Sequence, residues 1–255
     1  MQTQKIAELI KVARKHGTPL SSAKVHISAD AAYDIQWINT LQRIDAGDQI
    51  VGWKLGYVSQ VMRAAMGISE PNYAPLFANS IISSGADLPE RVIAPRVEPE
   101  IAVVLDQDLV PASYWLSLEI VDSVWKDYDF TWAHNTADHS SSSFAVIGPK
   151  LADGITQKEL LHSMDTLEFG FADDEHERWD PHSCDLDIQS SIHWLQNELN
   201  NAPQKLRPGD IILTGGLCPP VRLRPGESLE CVVTMKDSWV ALDSSSLRVK
   251  ISRER

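Results

Sequence analysis

The stretch Arg96-Val97-Glu98-Pro99-Glu100, running directly into Ile101-Ala102-Val103-Val104-Leu105, constrains this chain more than any other. An extended chain turns successive side chains to opposite faces, so Glu98 and Glu100 share one face of a strand, and Pro99 keeps Glu98 out of the helical region. Two neighbouring carboxylates repel unless something positive lies between them, and a hard divalent cation with oxygen ligands, Mg²⁺ or Mn²⁺, meets that need. An E-x-E pair on a solvent-facing strand edge is the plainer alternative.

Two other segments bear on the choice. Leu116-Ser117-Leu118-Glu119-Ile120-Val121 reads as a strand with Glu119 among apolar neighbours, where an unpaired carboxylate is costly and calls for a cation or a hydrogen-bond partner. Ile50-Val51-Gly52-Trp53-Lys54-Leu55-Gly56 places a lysine in a short apolar segment between glycines. Lys54 there is either a snorkelling side chain or an active-site ammonium.

Composition removes several classes of function. At 255 residues, with 43% hydrophobic and 23% charged residues, the chain has the make-up of a soluble globular protein with a sizeable core. A net charge of −12 with no local run of lysine or arginine argues against nucleic acid or an anionic membrane as partner. The N-terminus Met1-Gln2-Thr3-Gln4-Lys5 opens no apolar signal core, and no apolar run approaches a membrane span. Cys184, Cys218 and Cys231 are too few and too scattered for a disulfide framework or a zinc site, which fits a reducing cytoplasm.

Along the chain, Ile6, Leu9, Ile10 and Ala13 at helical spacing predict a helix over 4–16, closed by Gly17 and Pro19. A second helix is expected from after Ser28 to Gly47, carrying Ala32, Tyr33, Trp37, Leu41 and Ile44. Residues 50 to about 150 then change to short apolar strands broken by Gly, Pro and Asp turns. Asp187 to Leu199 reads as a helix, Ile211-Ile212-Leu213 as a strand ending in Thr214-Gly215-Gly216, and 229–235 and 239–251 as antiparallel strands. The pattern lacks regular β-α alternation and any glycine-rich nucleotide loop. It predicts an α+β chain: an N-terminal helical region over 1–49 and a sheet-rich domain over 50–255.

In order, Gly52-Trp53-Lys54-Leu55-Gly56, Pro75-Leu76-Phe77, Pro95-Arg96-Val97-Glu98-Pro99-Glu100, Leu118-Glu119-Ile120 and Gly209-Asp210-Ile211-Ile212-Leu213-Thr214-Gly215 resemble the hydratase/decarboxylase branch of the fumarylacetoacetate hydrolase superfamily. Ala32-Tyr33-Asp34-Ile35-Gln36 is similar to that branch's N-terminal helix. The resemblance implies a mixed β-roll core, a divalent ion on Glu98, Glu100 and Glu119, and Lys54 beside the substrate. It also implies a small 2-oxo acid or 2-hydroxy-2,4-dienoate substrate of the kind met in meta-cleavage catabolism of aromatic compounds. Homo-oligomers are the family expectation, and association with a partner decarboxylase or hydratase stays open.

Further positions follow from the same resemblance. Leu76 and Phe77 are carried over to the substrate side. Asp138, His139 and Ser140 match a stretch that approaches the pocket, and His139 supplies a titratable group there or merely sits in a polar turn. Thr214 donates to the substrate carboxylate or caps the turn. Asn79 stands where many hydratases of the branch carry Asp, and an amide holds a water without accepting its proton. The interval of 19 positions from Glu100 to Glu119 is shorter than is usual in the branch, where a helix occupies the connection. The leading expectation is hydration of 2-oxopent-4-enoate. Decarboxylation of 4-oxalocrotonate, C–C hydrolysis of an acylpyruvate and a non-catalytic ligand-binding homologue remain as rivals.

Overall fold

The computed structural model describes residues 2–89, 91–181, 186–235 and 244–251. Its two long N-terminal helices form where the apolar spacing predicts them, α1 over Gln2–His16 and α2 over Ala29–Asp45. In α1 the buried face is Ile6, Ala7, Ile10 and Ala13, while Leu9 lies on the flank, 48% exposed. In α2 burial extends beyond one stripe, to Ile35, Gln36, Asn39 and Thr40, because the helix is wedged between two clusters. Ala32 and Ile35 join α1, Val124, Trp125, Ala133 and Ala137, whereas Trp37 enters the main core. The helical region thus shares both cores with residues beyond 49.

The strands that follow are β1 (Ile50–Gly56), β2 (Asn72–Phe77), β3 (Ile81–Ile82), β4 (Arg96–Leu105) and β5 (Pro111–Val121). Later in the chain come β6 (Ser142–Asp153), β7 (Met164–Phe171), β8 (Glu177–Trp179), β9 (Ile211–Gly216), β10 (Val221–Arg222), β11 (Ser228–Met235) and β12 (Ser244–Lys250). One sheet has the order β2-β1-β9-β4-β5-β6-β3, with β10 on β4, and the other β12-β11-β7-β8. The larger sheet is mixed: β1 runs parallel to β9 and β3 to β6, and the remaining pairs are antiparallel. Gly52 permits the parallel approach of β1 and β9, since a Cβ there would lie 1.9 Å from the Ile211 carbonyl oxygen.

The larger sheet turns Trp53, Leu55, Val97, Ile101, Leu116 and Leu118 toward the main core. That core is completed by Leu167, Leu229 and Val233 of the smaller sheet and by α6 (Ile188–Leu199), whose buried face is the expected Ile188, Ile192, Leu195 and Leu199. Asp187 caps α6, its carboxylate accepting from Ser190 N at 3.0 Å.

Three short helices, α3 (Gln60–Met66), α4 (Trp132–Ala137) and α5 (Gln157–Ser163), were not expected, because six or seven residues are too few to display a helical period. The connection from β4 to β5 is a tight turn in which Asp106 Oδ1 accepts from the Asp108 and Val110 amides, so the short interval holds a hairpin. The expected strand over 239–251 appears as β12, and residues 239–243 and Cys184 fall outside the described residues.

Candidate metal centre

Antiparallel register builds the centre. Glu98 of β4 lies directly opposite Glu119 of β5, and Glu100 lies opposite Ser117. Glu98, Glu100 and Glu119 therefore share one face of the hairpin, and one carboxylate oxygen from each lies within 4.8 Å of the others. Glu100 and Glu119 are 0% and 1% exposed, so only Glu98 keeps contact with solvent.

The same face carries Lys54. Its register partner on β9 is Leu213, which pairs in turn with Ala102 of β4, two residues from Glu100. Lys54 Nζ stands 3.3 Å from Glu119 Oε2 and donates to both Ser140 O and Ser140 Oγ at 3.0 Å. Ser140 Oγ donates to Asn72 Oδ1 at 2.9 Å, and Asn72 Nδ2 donates to Asn135 Oδ1 and Thr136 Oγ1. Gly56 makes this approach possible: a Cβ there would sit 2.2 Å from Asn72 Oδ1 and 2.6 Å from Ser140 Oγ. Ser140 is held at φ 52°, between His139 at 53° and Ser141 at 58°. Three successive left-handed residues cost roughly 1 kcal/mol each, and the grip on Lys54 is one of the contacts that hold them.

The donor set fits a divalent ion. Three carboxylates and one ammonium leave two negative charges, and Glu100 Oε1 and both Glu119 oxygens are buried without a hydrogen-bond partner. Burial, then the Glu119 charge, pushes the Glu98 carboxyl up to about 7. Glu100 and Glu119 are also raised, each chiefly by burial, Glu100 well above the ordinary range. Glu100 Oε2 accepts from Gly215 N at 3.0 Å, which orients this carboxylate from the end of β9.

The other expected site residues are distributed differently. Ser140 joins the centre through Lys54. Leu76, 1% exposed, packs with Ala102, Ala145 and Leu213 on the same sheet face as the acids. Phe77 points the other way, into the main core, with the Arg43 guanidinium 3.6 Å from its ring centre, so it has no free face for a substrate. Thr214 is 1% exposed and its hydroxyl donates to Ile101 O at 2.8 Å, so that proton is committed to the sheet rather than to a ligand. Asp138 pairs with Arg14 at 2.5 Å and accepts from Val124 N at 2.9 Å; it ties α1 to the turn.

His139 and Asn79 line a different cavity, on the far side of the 139–142 turn, and His139 Nε2 bonds Thr40 Oγ1 at 2.9 Å. Neighbours in a turn point apart, so Ser140 faces Lys54 while His139 faces away. The residues missed at the centre are Asn72, Asn135 and Thr136. A polar residue opening the otherwise apolar run Tyr73-Ala74-Pro75-Leu76-Phe77 was the one available signal for Asn72.

No family model matches the chain. It is 30% identical over 213 residues to a 2-keto-4-pentenoate hydratase of Burkholderia vietnamiensis (strain G4 / LMG 22486), covering 77% of this chain and 79% of the relative. It is 27% identical over 254 residues to a 4-oxalocrotonate decarboxylase of Pseudomonas sp, covering 91% and 94%. Among solved structures, 4-oxalocrotonate decarboxylase from Pseudomonas putida G7, complexed with magnesium and adipate, superposes with a TM-score of 0.78 at 21% identity, over 98% of this chain and 97% of that one. The mixed sheet with its helices has the fold of the fumarylacetoacetate hydrolase superfamily. Within that superfamily, the chain belongs to the hydratase/decarboxylase branch.

Proposed function

We propose that the protein is a divalent-metal-dependent lyase that hydrates 2-hydroxypenta-2,4-dienoate, the dienol of 2-oxopent-4-enoate, to 4-hydroxy-2-oxopentanoate. The observation that carries this reading is the placement of Glu98, Glu100, Glu119 and Lys54 on one buried sheet face, in a chain similar to 2-keto-4-pentenoate hydratases over most of its length. Glu98, Glu100 and Glu119 would hold the ion, with Mg²⁺ or Mn²⁺ suited to an all-oxygen set. The bound ion would supply an electrophilic anchor for the carboxylate and 2-oxygen of a 2-oxo acid.

This chain's own residues would do the rest. Lys54 carries the movable proton of the face. Two of its three N–H donors are fixed by Ser140, which aims Nζ and leaves one proton for Glu119 or the substrate. Hydration needs a proton delivered at C5 of the dienol and water added at C4, and we assign the proton relay to Lys54. Burial of the acids excludes bulk water from that side, so the half-buried Glu98 marks the side of entry. Asn79, beyond the turn, takes no part in this scheme, so an amide at that position is compatible with turnover.

Decarboxylation of 4-oxalocrotonate is the second reading, favoured by the decarboxylase relative. We also propose a cytoplasmic homo-oligomer. Cys231 is a buried thiol outside any disulfide, and among the described residues no helix is long and apolar enough to cross a membrane. The test is a spectrophotometric assay with freshly generated 2-hydroxypenta-2,4-dienoate, with and without Mg²⁺ or Mn²⁺. Metal-dependent loss of the dienol with formation of 4-hydroxy-2-oxopentanoate is expected. No turnover of that substrate, with release of carbon dioxide from 4-oxalocrotonate, would replace hydration by the second reading.

A further inference from the structure

The 139–142 turn has two sides, and the second is the more unusual for so acidic a chain. Behind it lies a cavity of about 550 Å³ whose walls include Lys11, Arg14, Lys15, Arg43 and Arg91. A protein of net charge −12 thus gathers five of its 23 basic residues around one hollow. Three of the five have partners: Lys11 pairs with Glu8, Arg14 with Asp138 and Arg43 with Asp48, each at 2.5 Å. Lys15 and Arg91 have no carboxylate partner among the described residues, and the Arg91 guanidinium lies over the Phe144 ring, 5.9 Å from its centre. The cations sense one another, for Arg14 and Arg91 both disfavour the charged form of Arg43. With three cations matched by acids and two left over, the hollow keeps a local positive excess, which favours an anion.

The hydrogen-bonding groups on the wall narrow the ligand. Ser80, Ser142, Ser143 and Asn79 offer neutral donors. Two unpaired cations together with these neutral donors offer more hydrogen bonds than the two oxygens of a carboxylate accept, and suit the three terminal oxygens of a phosphate. His139 on the same wall is held neutral by burial and by Arg14 and Arg43, so it adds no further charge.

We infer that this cavity is a binding site for a small phosphate-bearing molecule, separate from the metal centre and divided from it by the His139–Ser142 turn. Lys54, Glu98, Glu100 and Glu119 are absent from its walls. The two sites come nearest at Ser142, which lines the cavity and whose side chain helps to lower the Glu119 carboxyl. The site is independent of which reaction the metal centre performs.

The test is calorimetric titration of the full Mg²⁺-loaded protein with inorganic phosphate, and separately with succinate as a carboxylate probe. Arg91→Gln and Lys15→Gln are suitable variants, both residues being exposed and free of ion pairs, and Glu100→Gln removes a proposed metal ligand. Saturable phosphate binding that weakens about tenfold in Arg91→Gln or Lys15→Gln and persists in Glu100→Gln supports the site. Loss of phosphate binding in Glu100→Gln alone would place the anion on the metal and overturn the inference. Absence of saturable phosphate binding would overturn it as well, and so would succinate binding at least as tightly as phosphate.

Discussion

The two faces of the β4–β5 hairpin are built from the same residues in alternation, yet they do opposite work. Val97, Ile101, Leu116, Leu118 and Ile120 face the main core and are fully buried. Glu98, Glu100, Ser117 and Glu119 take the alternate positions, and two of the three acids are as buried as the leucines. Each apolar side chain contributes about 1.5–3 kcal/mol by leaving water. Each buried carboxylate opposes folding unless its charge is balanced. One face holds the fold together, and the other is tolerated for the ion it can hold.

That contrast can be broken most visibly on the acid face. Glu100→Gln, or Glu98→Gln, is expected to lower metal-dependent turnover by on the order of a thousandfold, with an unchanged far-ultraviolet circular dichroism spectrum. Wild-type rates in either variant would remove the metal from the account. On the other face, Leu118→Ala, at a fully buried position, should reduce the free energy of urea unfolding by about 3 kcal/mol. A loss below about 1 kcal/mol would mean that this face is not where stability resides.

A reversal of rank order sharpens the comparison. Glu119→Gln should raise the stability of the metal-free protein by about 1 kcal/mol, because it removes one of three mutually repelling carboxylates that share a single ammonium, Lys54. With saturating Mg²⁺ the wild type should overtake the variant, since binding to the native state adds stability by mass action. A variant that is less stable than wild type without metal would show that the Lys54 ion pair, at 3.3 Å, outweighs the burial of the carboxylate.

The smallest effect is expected beyond the turn. Burial, with Arg14 and Arg43 adding to it, lowers the His139 imidazole to about 3. Between that value and the ordinary 6.5, the unfolded chain binds a proton that the folded chain refuses, so stability falls as pH drops through this window. His139→Gln should therefore flatten the acid limb, by about 1 kcal/mol between pH 7 and 5 after allowing for solvent screening in the cavity. Urea midpoints of the two proteins that move in parallel over that range would contradict the burial of a neutral imidazole.

The acid pair and its partner were legible in the sequence because a strand has period two and because a carboxylate in an apolar run stands out. Their meeting was less so. The opposition of Glu98 and Glu119 depends on the turn at Asp106–Val110, whose length sets register without leaving any mark on the acids themselves. The contacts of Lys54 depend on a left-handed turn made of His, Ser and Ser, residues that do not announce such a conformation as glycine would. The same turn explains why His139 was expected beside the substrate and lies on the opposite side. Thr214 was read from its glycines, but the pairing of β9 with β4 hands its hydroxyl to Ile101 O. Local pattern revealed which residues were costly to bury, and tertiary pairing decided where they converged.

The claim at the centre of the account is that Glu98, Glu100 and Glu119 jointly hold one divalent ion. Titrating Mn²⁺ into the metal-free protein, with calorimetry and electron paramagnetic resonance as readouts, tests it most directly. The account predicts one ion per chain, proton release on binding, and loss of that site in Glu98→Gln, Glu100→Gln and Glu119→Gln alike. Mn²⁺ binding of unchanged affinity in all three variants would contradict it.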